Sequence, residues 1–343
     1  MEDNHPRKWA DEQQYVAAPM EANRDEKGNI VPKVFLLWMT PDPLGAIAAM
    51  CRMYEGKPTY DLSSISDEER EHYFAQAQST HLRAPLEAVK FHFFIEGVSR
   101  SFTHQLVRQR TAVYAQESLR FAVKEKLTDD VTAPPSIAVL PTSNPTRQMW
   151  DHHMQKTEET YNYLVSNGIP AEDARGVLPH AVATRVNYIT DLRNLSDHAG
   201  NRLCTQAQFE WRIVFMEIVK AIREFRDTRF ISDGWQFEAL ANSGLFRPVC
   251  YQLGKCPFKA TFDRECTIRD RVDANAKHGI PSNEWHLEHV VTTKFMDPLP
   301  WAPAPEHSKY DPLQAQDLIP PIDAAEWLLD PSAARLTGGG GHD

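Results

Sequence analysis

The alternation of apolar and polar residues predicts two β-strands in the first third of the chain. Residues 88–97 alternate with period two, so that Val89, Phe91, Phe93 and Ile95 lie on one side, as in a strand with one buried face. Residues 33–39 have the sequence KVFLLWM, a short apolar run that fits a buried strand. Both segments are therefore predicted to be strands.

Apolar residues spaced three and four apart, together with capping and turn residues, predict helices elsewhere. The predicted helices cover residues 44–54, 66–78, 99–108, 147–165, 171–176 and 206–230. The helix over 66–78 opens with a capping box at Ser66. The helix over 206–230 is predicted to be the longest, with an apolar face made by Phe209, Ile213, Met216, Val219 and Ile222. Residues 134–145 contain four prolines and are predicted to form a loop.

Composition indicates a globular protein with room for a large core, since 42% of its 343 residues are hydrophobic and 24% are charged. The formal net charge of −10 argues against bulk nucleic acid as the main partner, because proteins in that role are more often basic. Residues 1–11 lack the apolar stretch of a signal peptide, and no window of roughly 20 apolar residues could cross a membrane. Five cysteines without a disulfide-type spacing are typical of a reducing compartment. We therefore expect a cytoplasmic protein that binds no membrane.

Residues 91–121 carry the clearest chemical pattern. Arginine, amide and hydroxyl side chains are concentrated there: Arg100, Arg108, Arg110, Arg120, Gln105, Gln109, Gln116 and Ser118. Guanidinium groups bind phosphates and flat carbonyl edges through paired hydrogen bonds. Because Arg108 and Arg110 are two residues apart at a predicted helix end, they can reach different groups of a ligand. A solvated, salt-bridged surface is the general alternative for charged clusters, and the strongly apolar flanks disfavour it here.

This segment resembles the signature of the flavin-dependent thymidylate synthases, in which Arg-His-Arg is followed, after seven residues, by Ser-x-Arg. The matching positions are Arg108, Arg110, Ser118 and Arg120. Residues 81–89 and 95–108 are also similar to the family. A second resemblance, in the family's order, is carried by Arg175, Leu178, Pro179, Thr184, Arg193, Arg202, Ala207, Gln208 and Glu210. Two separated motifs in the right order are more specific than either alone, and together they cover residues 33–245.

The resemblance implies an α/β (α+β) fold that forms a homotetramer and holds FAD at subunit contacts. We expect the catalytic domain at residues 33–245, between a polar arm (1–32) and a Cys- and Pro-rich C-terminal extension (246–343) with a disordered end. In this family 5,10-methylenetetrahydrofolate gives the carbon, NADPH reduces the flavin, and C5 of dUMP accepts the carbon. No enzyme nucleophile is used, and no cysteine lies in the two arginine motifs with an evident activating partner, although Cys204 is close to Arg202.

The resemblance also implies roles for individual residues. Arg202 is expected to be catalytic, because a guanidinium beside the N3–O edge of a pyrimidine stabilises the anionic ring. The substrate would be bound by Gln105, Arg108, Gln116, Glu117, Ser118, Leu119, Arg120, Arg175 and Arg202, in part from a neighbouring subunit. The flavin would be contacted by Arg108, Gln109, Arg110, Gln116, Asp191, Arg193 and Asp197. An ordinary salt bridge is the alternative role for Arg175, Arg193 and Arg202, each taken alone.

The chain departs from the family pattern at several positions. Gln109 replaces the central His, Val113 the first Ser, Ala115 and Gln116 the Asn-Glu pair, and Asp191 and Asp197 replace Asn. An Asp in place of Asn offers an acceptor where a donor is lost, which favours cytosine, whose exocyclic amine donates where the uracil oxygen accepts. A dCMP methylase or hydroxymethylase is therefore an alternative, weighed against neutral drift at flavin contacts. A non-catalytic nucleotide- or flavin-binding module is a hypothesis of another class.

The C-terminal extension contains ligand types found in zinc sites: Cys250, Cys256, Cys266, His286 and His289. Their cysteines are separated by five and nine residues, which is not a standard zinc-binding spacing. We therefore predict no bound metal.

Overall fold

In the computed structural model, the residues whose structure is described are 15–17, 20, 23–25, 28–138, 140–204, 207–226 and 234–253. Their strands are β1 (Tyr15–Val16), β2 (Asn23–Arg24), β3 (Ile30–Val31), β4 (Lys33–Met39), β5 (Lys90–Ser99), β6 (Val113–Gln116), β7 (Ala122–Val123) and β8 (Ala183–Asp191). Their α-helices are α1 (Pro43–Tyr54), α2 (Asp67–Ser79), α3 (Arg100–Leu106), α4 (Pro135–Ala138), α5 (Pro145–Ser166), α6 (Ala171–Ala174), α7 (Leu192–Arg202), α8 (Glu210–Glu224), α9 (Trp235–Ala241) and α10 (Val249–Gln252).

The centre of the fold is a four-stranded antiparallel sheet in the order β4-β5-β8-β6. Phe91, Phe93 and Ile95 of β5 are completely buried on one face of this sheet, as the period-two pattern of the sequence predicts. On the neighbouring strand β8, Tyr188 is paired with Phe93 and is buried on the same face. The two predicted strands, β4 and β5, are therefore confirmed.

Helices cover the buried face of the sheet. Helix α8 packs against β4, and α9 packs against α8. One continuous hydrophobic cluster extends along the chain from Val34 to Phe246 and joins the sheet to these helices and to α1 and α2. The described residues thus form a mixed helix-and-sheet architecture, as expected from the resemblance.

Helix α8 differs from its prediction in length and in its buried face. It runs from Glu210 to Glu224, so the predicted extent over residues 206–230 is too long where the structure can be compared. The side chains buried at three- and four-residue spacing are Trp211, Val214, Phe215, Ile218, Val219 and Ile222. Phe209, Ile213 and Met216 are only half-buried, so the face of the helix that is buried is rotated about the helix axis from the predicted face.

The remaining predicted helices occur close to their predicted positions, and the capping box at Ser66 is confirmed. The longest helix among the described residues is α5, with 22 residues, not α8. The proline-rich segment 134–145, predicted to be a loop, contains the short helix α4 and the first residue of α5. Strands β6 and β8 and helix α7 carry no sequence prediction, and α7 proves to contribute several residues to the site.

Within the part of the chain that the structure describes, no helix is both long and apolar enough to cross a bilayer. Over the same residues, no three His, Cys, Asp or Glu side chains are grouped closely enough to hold a metal ion. Cys256, Cys266, His286 and His289 lie outside the described residues, so the zinc alternative is not tested.

Candidate active site

Helix α3 connects two groups of polar residues that the sequence pattern had singled out. Ser99 caps its N-terminus by accepting a hydrogen bond from the Phe102 N–H at 3.1 Å. Phe102 and Leu106 are fully buried and anchor the helix to the core. Arg100 therefore lies at one end of α3 and Gln105 near the other, about 7.5 Å apart along the axis.

At the Gln105 end, the guanidinium of Arg202 is held on three sides by neutral groups. Its Nη1 donates to Oε1 of Gln105 at 3.0 Å, and its Nε donates to Nε2 of His198 at 3.3 Å. Its central carbon lies 5.0 Å from the ring centroid of Trp211, a cation–π contact. Within the described residues, no carboxylate is paired with Arg202. Its positive charge is therefore fixed in place without being neutralised.

Protonation states at this end follow from burial. Burial, with the nearby charge of Arg108, lowers the pKa of Arg202, yet a guanidinium stays charged at neutral pH. Burial, reinforced by the charge of Arg202, lowers the pKa of His198 to about 3. His198 is therefore neutral and accepts from Arg202 through Nε2, which puts its proton on Nδ1. That Nδ1 atom is buried and has no hydrogen-bond partner among the residues that the structure describes.

A chain of side-chain hydrogen bonds leads from Arg202 into the core. Gln105 donates through Nε2 to Oε1 of Gln208 at 2.6 Å, and Gln208 donates through Nε2 to Oε2 of Glu210 at 2.8 Å. Glu210 also accepts from the backbone N–H and the hydroxyl of Ser99, each at 2.6 Å. Arg202 is thus connected by side chains to the start of α3.

An open cleft of about 470 Å³ lies beside Arg202. Its lining residues are Arg108, Gln109, Thr111, Asn194, Asp197, His198, Asn201, Arg202, Cys204 and Ala207. The structure therefore brings together four residues singled out by sequence: Arg108, Gln109, Asp197 and Arg202. Three of the six other lining residues, Asn194, His198 and Asn201, come from α7, whose existence was not predicted.

The two arginines of the first motif differ from Gln109 in their side-chain contacts. Arg108 and Arg110 are exposed, and neither side chain makes a hydrogen bond or ion pair to any residue in the described ranges. Gln109 is tied to the protein instead, because its Oε1 accepts from the Tyr188 hydroxyl at 2.7 Å and its Nε2 donates to the Asn194 carbonyl at 2.9 Å. Gln109 thereby holds α7 against the sheet.

Asp191 and Arg193 do not line this cleft. Asp191 caps α7: its Oδ1 accepts from the Asn194 N–H at 2.9 Å, and its Oδ2 accepts from Asn194 Nδ2 at 2.7 Å and Lys90 Nζ at 3.2 Å. Arg193 is paired with Glu87 at 2.5 Å. Both predicted flavin contacts therefore have intramolecular partners in this chain.

The Arg100 end of α3 gathers the other predicted substrate residues. Arg120 is paired with the Glu172 carboxylate at 2.7 Å, and Arg175 donates to the Glu172 carbonyl at 2.9 Å. Arg100 donates to the Glu117 carbonyl at 3.4 Å, and burial together with the charge of Arg175 lowers its pKa. This end carries three guanidinium groups close together.

Three predicted substrate residues near this group have side chains directed into the protein. The Glu117 carboxylate accepts from the fully buried Lys124 at 3.1 Å. Leu119 is buried in a small apolar cluster, and Gln116 donates through Nε2 to the Thr103 hydroxyl at 2.8 Å. Ser118, in contrast, is exposed.

His198 and Trp211 contact Arg202 directly but were not singled out by the sequence. The sequence position of each could have indicated its role. His198 precedes Arg202 by four residues, the spacing at which helical side chains meet. Trp211 follows Glu210 of the second motif, and its indole Nε1 donates to Oε1 of Gln105 at 3.0 Å.

Comparison with known proteins shows to which of them the chain is similar. The family model described as thymidylate synthase complementing protein matches residues 35–225. The flavin-dependent thymidylate synthase of Geobacter sulfurreducens is 33% identical over 204 residues, which cover 59% of this chain and 87% of that relative. The flavin-dependent thymidylate synthase of Pyrococcus abyssi is 32% identical over 243 residues, which cover 70% of this chain and 95% of that relative.

Among solved structures, the UMP/dUMP methylase PolB from Streptomyces cacaoi, bound with 5-Br dUMP, aligns with a TM-score of 0.48 at 18% identity. The alignment covers 59% of this chain and 91% of that chain. The matching family model covers more than half of the sequence, and the relatives are matched over most of their length. The chain therefore belongs to the thymidylate synthase complementing protein family, the flavin-dependent thymidylate synthases.

Proposed function

We propose that this protein converts dUMP to dTMP, taking the carbon from 5,10-methylenetetrahydrofolate and the reducing equivalents from NADPH through bound FAD. Family membership supports a flavoenzyme that methylates a pyrimidine nucleotide. The observation that carries the finer assignment is the environment of Arg202, whose charge is held by Gln105, His198 and Trp211 and by no carboxylate among the described residues.

The role of Arg202 is electrostatic. C5 of a pyrimidine reacts with the incoming carbon only as electron density builds up there, and the conjugated oxygen and N3 edge then carry negative charge. A guanidinium fixed beside that edge stabilises the charged ring without having to reorganise. Burial strengthens this effect, because the local dielectric constant is lower than that of water.

The residues at the cleft fit a flavin dinucleotide. Arg108, which lines the cleft, and Arg110, two residues further along the chain, are exposed cations without side-chain partners in the described ranges, as a diphosphate requires. Thr111, Asn194 and Asn201 add hydroxyl and amide groups to the cleft for the polar atoms of the flavin and its ribityl chain. When bound, FAD supplies the hydride chemistry of the reaction. Asp197 also lines the cleft, and its carboxylate is held by Arg83 at 2.6 Å.

We assign the nucleotide phosphate to the group at the other end of α3, where Arg175 and Arg120 lie with Ser118. Guanidinium pairs are the usual phosphate ligands in proteins. Since this group and Arg202 lie beside opposite ends of α3, each serves a different substrate molecule in an assembly, with a homotetramer as the expected form. We also place the reaction in the cytoplasm.

Anaerobic turnover with FAD, NADPH and methylenetetrahydrofolate tests the proposal, with dUMP and dCMP offered separately and the products weighed by mass spectrometry. Product carrying one added methyl group from dUMP supports thymidylate synthesis. Product from dCMP alone would replace it with cytosine modification, a second candidate favoured by one observation: the acceptor carboxylate of Asp197 at the cleft. Bound flavin without product from either nucleotide would favour a non-catalytic binding module.

A further inference from the structure

The hydrogen bonds that connect Arg202 through Gln105 and Gln208 to Glu210 can run in only one donor-to-acceptor direction. Gln105 Oε1 faces two groups that can only donate, Arg202 Nη1 and Trp211 Nε1, each at 3.0 Å. The Gln105 NH₂ must therefore face Gln208, which presents its oxygen at 2.6 Å. Gln208 in turn presents its NH₂ to Glu210 at 2.8 Å. Each amide can be oriented in only one way.

Glu210 lies at the buried end of this series of hydrogen bonds and determines their direction. Its side chain is 6% exposed, and its two oxygens receive three hydrogen bonds, from the Ser99 N–H, the Ser99 hydroxyl and Gln208. All three donors are neutral. A carboxylate can only accept hydrogen bonds, so it dictates that Gln208 presents its NH₂ group. Burial of a carboxylate with only neutral donors is costly, which argues for a role beyond packing.

We propose that Glu210 is a positioning residue that fixes the orientation of Arg202 through the amides of Gln208 and Gln105. The kinetic test of this inference rests on the proposed function. The hydrogen bonds themselves join side chains of the protein and do not depend on any substrate. Glu210 does not line the cleft. It acts by forcing Gln105 to present an oxygen to Arg202.

The substitution Glu210→Gln tests the polarity without changing the size of the side chain. Its carbonyl can still accept from the Ser99 N–H, which leaves its NH₂ facing the NH₂ of Gln208. Relief of this donor–donor contact requires Gln208 to flip, and then Gln105, so that an NH₂ group faces Arg202 and Trp211. We expect kcat/KM to fall by about tenfold or more, with kcat carrying most of the loss.

A reciprocal second substitution makes the test specific. In the double variant Glu210→Gln with Gln208→Glu, the new carboxylate accepts from both Gln105 and residue 210, so the donor–donor contact is removed, and the Ser99 hydroxyl accepts from residue 210 where it donated before. Gln208 is only half-buried, so the displaced charge is not more costly there. We expect the double variant to regain activity to within about threefold of wild type. The matched control is Glu224→Gln on the same helix, at an exposed position, and it should be unchanged.

A spectroscopic readout separates this inference from the proposed function. With selective ¹⁵N-tryptophan labelling, the indole N–H resonance of Trp211, assigned with Trp211→Phe, reports whether Gln105 presents an oxygen or an NH₂. We expect the resonance to shift in Glu210→Gln and to return in the double variant. If wild type turns over no nucleotide, the proposed function fails, and this resonance still decides the inference.

Either of two results would overturn the inference. One is an unmoved Trp211 resonance in a Glu210→Gln variant that melts cooperatively. The other is loss of activity in the single variant without recovery in the double variant, which would mean that Glu210 serves only the stability of the core.

Discussion

Protonation of His198 in the unfolded chain should lower the stability of the fold in mild acid, because the buried His198 of the folded chain does not take up that proton. His198 is 7% exposed and packs edge-on against Trp211 and Phe215, at centroid distances of 4.6 and 5.8 Å. Burial and the adjacent Arg202 lower its pKa to about 3. The unfolded chain therefore binds a proton to this residue at a pH where the folded chain does not.

The sign and magnitude follow from linkage. The folded pKa lies below the unfolded value of about 6.5, so stability is complete above that pH and is lost as the pH falls toward the folded pKa. Between pH 8 and pH 5, His198 should cost about 2 kcal/mol of unfolding free energy. Glu210 works in the opposite direction, because burial raises its pKa to about 6 and its protonation favours the fold as the pH falls. Its contribution over the same interval is about 1 kcal/mol.

Because these two groups oppose each other, the test compares variants and does not rely on wild type alone. His198→Gln keeps an acceptor for Arg202 at the position of Nε2 but cannot titrate. Urea unfolding at pH 8 and pH 5 should show that wild type loses about 2 kcal/mol more than this variant over the interval. His152→Gln, on the exposed face of α5, is the matched control and should behave as wild type. Equal pH dependence of wild type and His198→Gln would refute the reasoning.

Three further predictions concern Lys124, Arg202 and Ser66. Lys124→Met should lower the unfolding free energy in urea by about 3 kcal/mol, because it removes the fully buried cation that the half-buried carboxylates of Glu117 and Asp130 share; an equally stable variant would contradict this. Arg202→Lys should lower kcat in the dUMP assay by about 100-fold, since an ammonium group cannot keep the paired geometry; unchanged turnover would exclude the electrostatic role. Ser66→Ala should cost about 1 kcal/mol in thermal melts by removing the α2 cap, and a smaller loss than in an exposed-site control would contradict the capping argument.

Where local chemistry alone determines structure, the sequence was sufficient. The capping box at Ser66 and the alternation along β5 depend on neighbouring residues only, and both predictions are confirmed. Helix α8 differs because it is apolar over more than half of its circumference. Its sequence contains two overlapping stripes, one through Ile213 and Met216 and one through Val214 and Phe215. Only the position of the sheet decides that the second stripe is buried.

Helix α7 escaped prediction because its functional residues interrupt its apolar pattern. Asp197, His198, Asn201 and Arg202 all lie on this eleven-residue helix and all line the cleft. Polar residues that form a site interrupt the apolar periodicity on which secondary-structure prediction depends. The arginines of the site could be found from motif spacing, but the partners that restrain them come from distant segments. Arg202 and Gln105, for example, are 97 residues apart.

The neutral state of His198 allows it to hold Arg202 without neutralising the charge of Arg202. A carboxylate beside Arg202 would hold the guanidinium more strongly, as Glu87 holds Arg193, but it would cancel the charge that a developing anion requires. A neutral imidazole supplies the same acceptor geometry and leaves the charge available. That choice makes the site sensitive to acid, because a protonated His198 would stop accepting from Nε and would place a second cation in contact with Arg202. Protonation of His198 in the folded chain, at a pH near 3, would therefore also release the residue on which the proposed chemistry depends.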